Sequence, residues 1–159
     1  MCREARAAEA AGFDTLCTFD HLGEEFSALA PLAAAAGWTT RIRLCPLVLN
    51  NDFHHPALLA QELASLDRLS GGRLEVGIGA GHSGPEYRAA GIRFNLPGVR
   101  KARMAESVDI LRRLLDGESV THIGPHYRPD WLPSPLGNLL LRRTRHRGLR
   151  PSDRTTPAI

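Results

Sequence analysis

Three short clusters hold the residues whose types and spacing could do chemistry. Asp20 and His21 stand together, Asn50, Asn51 and Asp52 form the second cluster, and Gly77-Ile78-Gly79-Ala80-Gly81 forms the third. A histidine titrates near neutrality, so His21 suits giving or taking a proton, with the Asp20 anion beside it. The competing reading is a polar strand end whose histidine is simply hydrogen-bonded, and residue types alone favour it. The glycine run resembles a phosphate-cradling loop. It lacks the full dinucleotide spacing and the acidic residue that should follow. Glycines there let a backbone come close to a neighbour without a side chain intervening. Approach to a planar ring therefore suits the run better than pyrophosphate binding. His54 and His55 follow Asp52 and raise the question of a metal. Neighbours in a strand point to opposite faces, and no i, i+4 partner exists, so no metal ligand is assigned. Loop and helix-entry roles are expected for that pair, and a solvated turn for His122 and His126.

These clusters need elements that deliver them to one place. Residues 1–11 read as a helix stopped by Gly12, and Phe13 to Asp20 as a strand. Ala28 to Ala36 reads as a short helix. The central strand begins at Arg41, where Ile42, Leu44, Leu47, Val48 and Leu49 are apolar within one run. A run that dense suits a parallel strand covered on both faces. Pro56 opens a helix that runs to about Leu69 and stops at Gly71-Gly72. Arg73 to Gly79 alternates as a third strand. Residues 82–98 read as an irregular insertion. A long helix spans Val99 to Leu115 with Met104, Val108, Leu111 and Leu115 on its buried face, and a turn follows at Gly124 to Tyr127. The alternation of helix and strand predicts parallel βαβ units. Right-handed crossovers put their loops at one end of the sheet. Asp20-His21, Asn50 to Asp52 and Gly77 to Gly81 should then meet on one rim, where α/β sheets keep their ligands.

Composition narrows the class. The 159 residues are 43% hydrophobic and 23% charged, the balance of an ordinary globular protein with room for a core. No apolar run approaches the roughly 18 residues of a membrane span. Arg3, Glu4, Arg6 and Glu9 near the start argue against a signal peptide. Cys2, Cys17 and Cys45 are scattered without metal spacing, as reduced thiols of a cytoplasmic protein would be. Cys17 and Cys45 are expected as small core residues. Of the net charge of +3, residues 131–159 carry +5, which leaves −2 for the first 130. The basic character therefore belongs to the tail. The arginines from Arg142 to Arg154 have no interleaved aromatics and no recognition motif, so nucleic-acid binding is not expected.

The quoted residues also resemble a known family. Ala10 to His21, Thr39 to Pro56 and Ala64 to Gly81 are similar to stretches of the bacterial luciferase-like monooxygenase superfamily, most of all to its coenzyme F420-dependent branch. The resemblance runs over about residues 3–128. It implies an α/β fold, a TIM (β/α)8 barrel, with the deazaflavin ring at the carboxyl ends of the strands. It implies Asp20 at the coenzyme and His21 at the reaction centre. It implies a bulge with a non-prolyl cis peptide at Leu47-Val48 behind the ring, and backbone along the ring at Ala80-Gly81, with Asn50 nearby. His82 departs from the Trp or Glu of many members.

Such barrels take about 250 residues. The expectation is therefore a partial barrel over 1–128, about strands 2–4 with their helices. Residues 129–159 form an irregular Pro- and Arg-rich tail, out-of-frame sequence by one reading. The implied activity is hydride transfer between F420 and an unknown small organic substrate, in a family whose intact members are commonly homodimers. An FMN-dependent monooxygenase and an inactive remnant are the alternatives.

Overall fold

The computed structural model describes residues 2–135. The expectations for Arg142 to Arg154 and the rest of the tail beyond residue 135 lie outside the described residues. The elements alternate as α1 (Cys2–Ala10), β1 (Thr15–Thr18), α2 (Ala30–Ala36), β2 (Arg43–Pro46), β3 (Leu49–Asn50), a 3-10 turn (Asn51–Phe53), α3 (Pro56–Ser70), β4 (Ile78–Gly79), α4 (Gly84–Ala89) and α5 (Pro97–Leu115). The fold is α/β. Among the described residues no helix is long and apolar enough to cross a membrane.

Among the described residues the named strands pair in parallel. Thr15 to Thr18 of β1 pairs with Arg43 to Pro46 of β2, and Leu49-Asn50 of β3 with Ile78-Gly79 of β4. Residues 73–77 run alongside β2: Arg73 O accepts from Leu44 N at 3.0 Å, and Gly77 N donates to Pro46 O at 3.1 Å. β1 therefore lies on one side of the β2–β3 line and the Arg73–Gly79 segment on the other. Crossovers through α2 and α3 bring each strand back in the same direction.

The central strand departs from the expectation of one continuous buried run. It is interrupted between β2 and β3, where the Leu47–Val48 peptide is cis. Leu44 and Leu49 are fully buried, whereas Leu47 is 51% and Val48 43% exposed. The apolar run reads as uniform because the interruption turns two of its side chains out of the core.

The core lies between the sheet and its helices. Leu32, Ala35, Ile42, Leu44 and Leu66 pack where α2 and α3 meet β2. Leu49, Leu59, Leu63, Ile110, Leu111 and Leu114 join α3 to α5. Burial of such side chains stabilises by roughly 1.5–3 kcal/mol each. α3 starts where the sequence signals it. Pro56 is its first residue, His55 Nδ1 accepts from Ala57 N at 3.3 Å, and Gly71 ends it with φ +70°. The Arg73 guanidinium ties the α2–β2 connection to the segment after α3 by donating to Thr39 Oγ1, Thr39 O, Ala36 O and Ile42 O at 2.7–3.0 Å.

Several local expectations are corrected. Residues 82–98 contain α4, a helix opened by Pro85 and held by the fully buried Tyr87. The buried face of α5 is Arg100, Ser107, Ile110, Leu111 and Leu114. Leu111 is buried as expected, Leu115 packs partly buried against the same core, and Met104 and Val108 are only partly buried. Cys17 is exposed, whereas Cys45 is buried as expected. His122 is tethered rather than solvated: its Nε2 lies 2.9 Å from Glu106 Oε1, which also accepts from Tyr127 N at 2.8 Å. Burial alone would raise the Glu106 pKa. The N–H of Tyr127 and the His122 ring outweigh it and hold the carboxyl below its ordinary range. This carboxylate fixes the turn enclosed by the antiparallel bridge between Val120 and Leu132.

Candidate active site

The three strand exits enclose one cavity of about 290 Å³, lined by Phe19, Asp20, His21, Leu47, Val48, Asn50, Gly79 to Ser83 and Glu86. All seven residues singled out from the sequence, namely Asp20, His21, Leu47, Val48, Asn50, Ala80 and Gly81, lie on its wall. Asn51 and Asp52 lie behind it, and His55 serves the start of α3 instead.

The floor is apolar. The interruption between β2 and β3 turns Leu47 and Val48 toward the cavity and away from the helices. Beside them the glycine run has no room for side chains. A Cβ on Gly77 would meet Val48 Cγ1 at 2.9 Å, and one on Gly79 would meet Val48 Cγ2 at 2.8 Å. At Gly81, φ is +76° and a Cβ would collide with the Tyr87 hydroxyl. These glycines are thus fixed by close approach and by backbone conformation, which the spacing alone left ambiguous.

The polar rim is organised in pairs. His21 Nδ1 lies 2.8 Å from Glu86 Oε1, and Glu86 Oε2 accepts from Leu22 N at 3.4 Å. The His21 hydrogen bond is the main cause of a Glu86 pKa below the ordinary carboxylate value. An ionised Glu86 accepts the proton on Nδ1, which leaves Nε2 as the nitrogen able to exchange a proton. The His82 ring stands edge-on to His21 with centroids 5.6 Å apart. Asp20 Oδ2 accepts from Asn50 N at 2.8 Å and lies 2.7 Å from His54 Nε2. Both carboxylates of the rim are therefore engaged by the protein, and the imidazoles of His21 and His82 are left as its exchangeable groups.

Behind the rim, α4 holds the exits together. The Tyr87 hydroxyl lies 3.0 Å from Asn50 Oδ1 and 3.1 Å from Asp52 Oδ2. Burial, with the Asp52 carboxylate alongside, pushes this phenol above its ordinary pKa of 10.0. Asp52 Oδ1 in turn meets Arg103 Nη1 at 2.9 Å. Arg100 stacks over Phe94 at 4.0 Å, and its guanidinium donates to the carbonyls of Ala80, Gly81 and Asn95. Glu86, Tyr87, Arg100 and His54 are the supporting residues that sequence reasoning missed. Only His54 stood next to a flagged cluster; the others reach the site across long separations.

A profile of the luciferase-like monooxygenase family matches residues 1–144. The chain belongs to the luciferase-like monooxygenase family. A Mycobacterium tuberculosis protein, provisionally named as a coenzyme F420-dependent oxidoreductase, is 42% identical over 125 residues. That match covers 77% of this chain and 34% of the relative. An F420-dependent secondary alcohol dehydrogenase, solved with an F420–acetone adduct, superposes with a TM-score of 0.74 at 26% identity. It covers 84% of this chain and 43% of that one. The oxygenating constituent of 3,6-diketocamphane monooxygenase from Pseudomonas putida, solved with FMN, gives a TM-score of 0.72 at 26% identity, over 82% of this chain and 37% of that one. The chain thus spans about a third of the curated relative's length.

Proposed function

We propose that this chain carries the coenzyme-ring site of an F420-dependent oxidoreductase that exchanges hydride with a small organic substrate. Its three parallel strand exits would be part of a (β/α)8 barrel to which residues 1–128 contribute about strands 2–4 with their helices. The reading is carried by one observation: side chains and glycines from three distant segments wall a single cavity with an apolar floor and a paired histidine at its rim.

The residues present fit a flat ring. Leu47 and Val48 offer an exposed apolar surface, and Ala80-Gly81 offers backbone alone beside it. A cavity of about 290 Å³ suits the ring portion of a coenzyme. Leu47, Val48, Ala80 and Gly81 would hold the ring, with Asp20 and Asn50 at its polar edge. When bound, the coenzyme supplies the hydride acceptor or donor.

The protein's own part is orientation and proton handling. Glu86 keeps the His21 proton on Nδ1, so Nε2 takes a proton from a substrate hydroxyl or returns one to a carbonyl oxygen. The edge-on His82 ring limits how His21 can turn. Arg100 fixes the Ala80 and Gly81 carbonyls, so the ledge beside the ring keeps its shape.

An FMN-dependent monooxygenase is the second reading, favoured by the FMN-bound neighbour at equal identity. The histidine–carboxylate pair weighs toward F420, because hydride exchange with an alcohol or carbonyl needs a proton moved at that oxygen. Fluorescence titration with each coenzyme separates the two. Saturable binding of F420 in preference to FMN is expected. Preference for FMN reverses the assignment, and indifference to both removes the catalytic reading.

A further inference from the structure

Two thiols face one another across the sheet, just beneath the cavity. Cys17 in β1 and Cys45 in β2 are direct partners in the parallel register. Partners at one level of neighbouring strands project to the same face. Leu16 and Leu44, one step earlier and also paired, turn into the helix-side core. Cys17 and Cys45 therefore both turn to the opposite face. Paired strands lie about 4.8 Å apart, inside the Cα separation of about 4.4–6.8 Å that a disulfide spans.

Access to the two differs. Cys17 is exposed and lines a second hollow of about 260 Å³ with Glu24, Phe26 and Pro31. Cys45 is 8% exposed, and its Sγ lies 3.7 Å from Pro46 O. Burial first, and Cys17 beside it second, push the Cys45 thiol above its ordinary pKa. Cys17 is then the thiol that meets a reagent, and Cys45 the one that resolves the product.

We propose that Cys17 and Cys45 form a reversible dithiol–disulfide pair, oxidised by low-molecular-weight disulfides such as oxidised glutathione. The Cys17 thiolate attacks one sulfur of the oxidant and displaces a glutathione thiolate, which takes up the proton that Cys17 gave to solvent. The Cys45 thiolate then attacks the Cys17 sulfur of the mixed disulfide and displaces the second glutathione, protonated likewise. The protein loses two hydrogens, and the oxidant's disulfide is reduced to two thiols. Two residues beyond each cysteine, Phe19 and Leu47 reach the cavity wall, so the bond would lock β1 to β2 directly under the site. The pair is independent of which coenzyme the cavity takes.

The test uses the 159-residue chain with Cys2→Ser, incubated with oxidised glutathione and digested with trypsin without reduction. The expected result is loss of both reactive thiols, no retained glutathione, and a disulfide joining the peptides 7–41 and 44–68. A stable glutathione adduct on Cys17 with Cys45 still free, or two unreacted thiols, overturns the proposal. Phenylarsine oxide probes proximity without oxidation, since it bridges two thiols with release of water. It should protect both thiols one-to-one, and Cys17→Ser, at an exposed position that tolerates the change, should abolish protection. Absence of protection in the parent, or undiminished protection in Cys17→Ser, contradicts the pairing.

Discussion

Glu86 Oε1 sits 2.8 Å from His21 Nδ1, although the two residues belong to different segments of the rim. A carboxylate in that place fixes which histidine nitrogen carries the proton, and so which one faces the chemistry. Glu86→Ala should lower turnover on the order of 10²-fold, within the range of general acid–base effects, and leave coenzyme affinity nearly unchanged. Glu86→Gln, whose amide oxygen still accepts from Nδ1, should restore part of the loss. Steady-state kinetics beside equilibrium binding decide it. An affinity that falls as far as turnover would make Glu86 a brace for the rim instead.

A glycine pair separates conformation from contact. Gly81 and Gly91 both have positive φ, +76° and +69°. A Cβ on Gly91 meets nothing within 4 Å, whereas on Gly81 it strikes Tyr87. Gly91→Ala should cost about 1 kcal/mol from backbone strain, and Gly81→Ala about 2–4 kcal/mol, with loss of coenzyme binding. Denaturant melts of both variants measure the difference. Equal costs would mean that Tyr87 moves aside freely.

The rim was legible in the sequence because its signals are local. A polar pair ends β1, amides follow β3, and glycines line the exit next to β4. What holds the rim is not local. Glu86 reaches His21 across 65 residues, and Arg100 reaches Ala80 across 20. α4 escaped because it is six residues long, starts Gly-Pro and buries one aromatic. The face of α5 was legible at Leu111 but not at Arg100, because burial of a charge is set by the carbonyls that receive it. Cys17 was read as core from its strand context, which says nothing about which face is covered.

Arg100 offers a check on that distant support. Arg100→Lys keeps the charge but cannot span the three carbonyls of Ala80, Gly81 and Asn95. It should cost about 1–3 kcal/mol and weaken coenzyme binding. Thermal melts and titration together test it. Unchanged affinity would detach the Ala80–Gly81 ledge from the coenzyme.

Acid stability reports on Glu9. Its carboxylate accepts from Thr40, Arg41 and Ile42 N–H groups at 2.6–3.2 Å, and these bonds, that of Ile42 foremost, lower its pKa from 4.5 to about 2. The folded state thus favours the ionised form. The stabilisation is fully present above about pH 4.5 and is lost as pH falls toward 2. Glu9→Gln should flatten the acid arm of the stability curve between those values. An unchanged acid arm in the variant would place the pH dependence elsewhere.

The central claim is that one flat coenzyme ring lies on the Leu47–Val48 floor. A crystal structure of the chain with F420 tests this most directly. The ring should contact Leu47, Val48, Ala80 and Gly81, with His21 Nε2 toward the open face of the cavity. Density for the ring elsewhere, such as in the hollow beside Phe26 and Pro31, would contradict it.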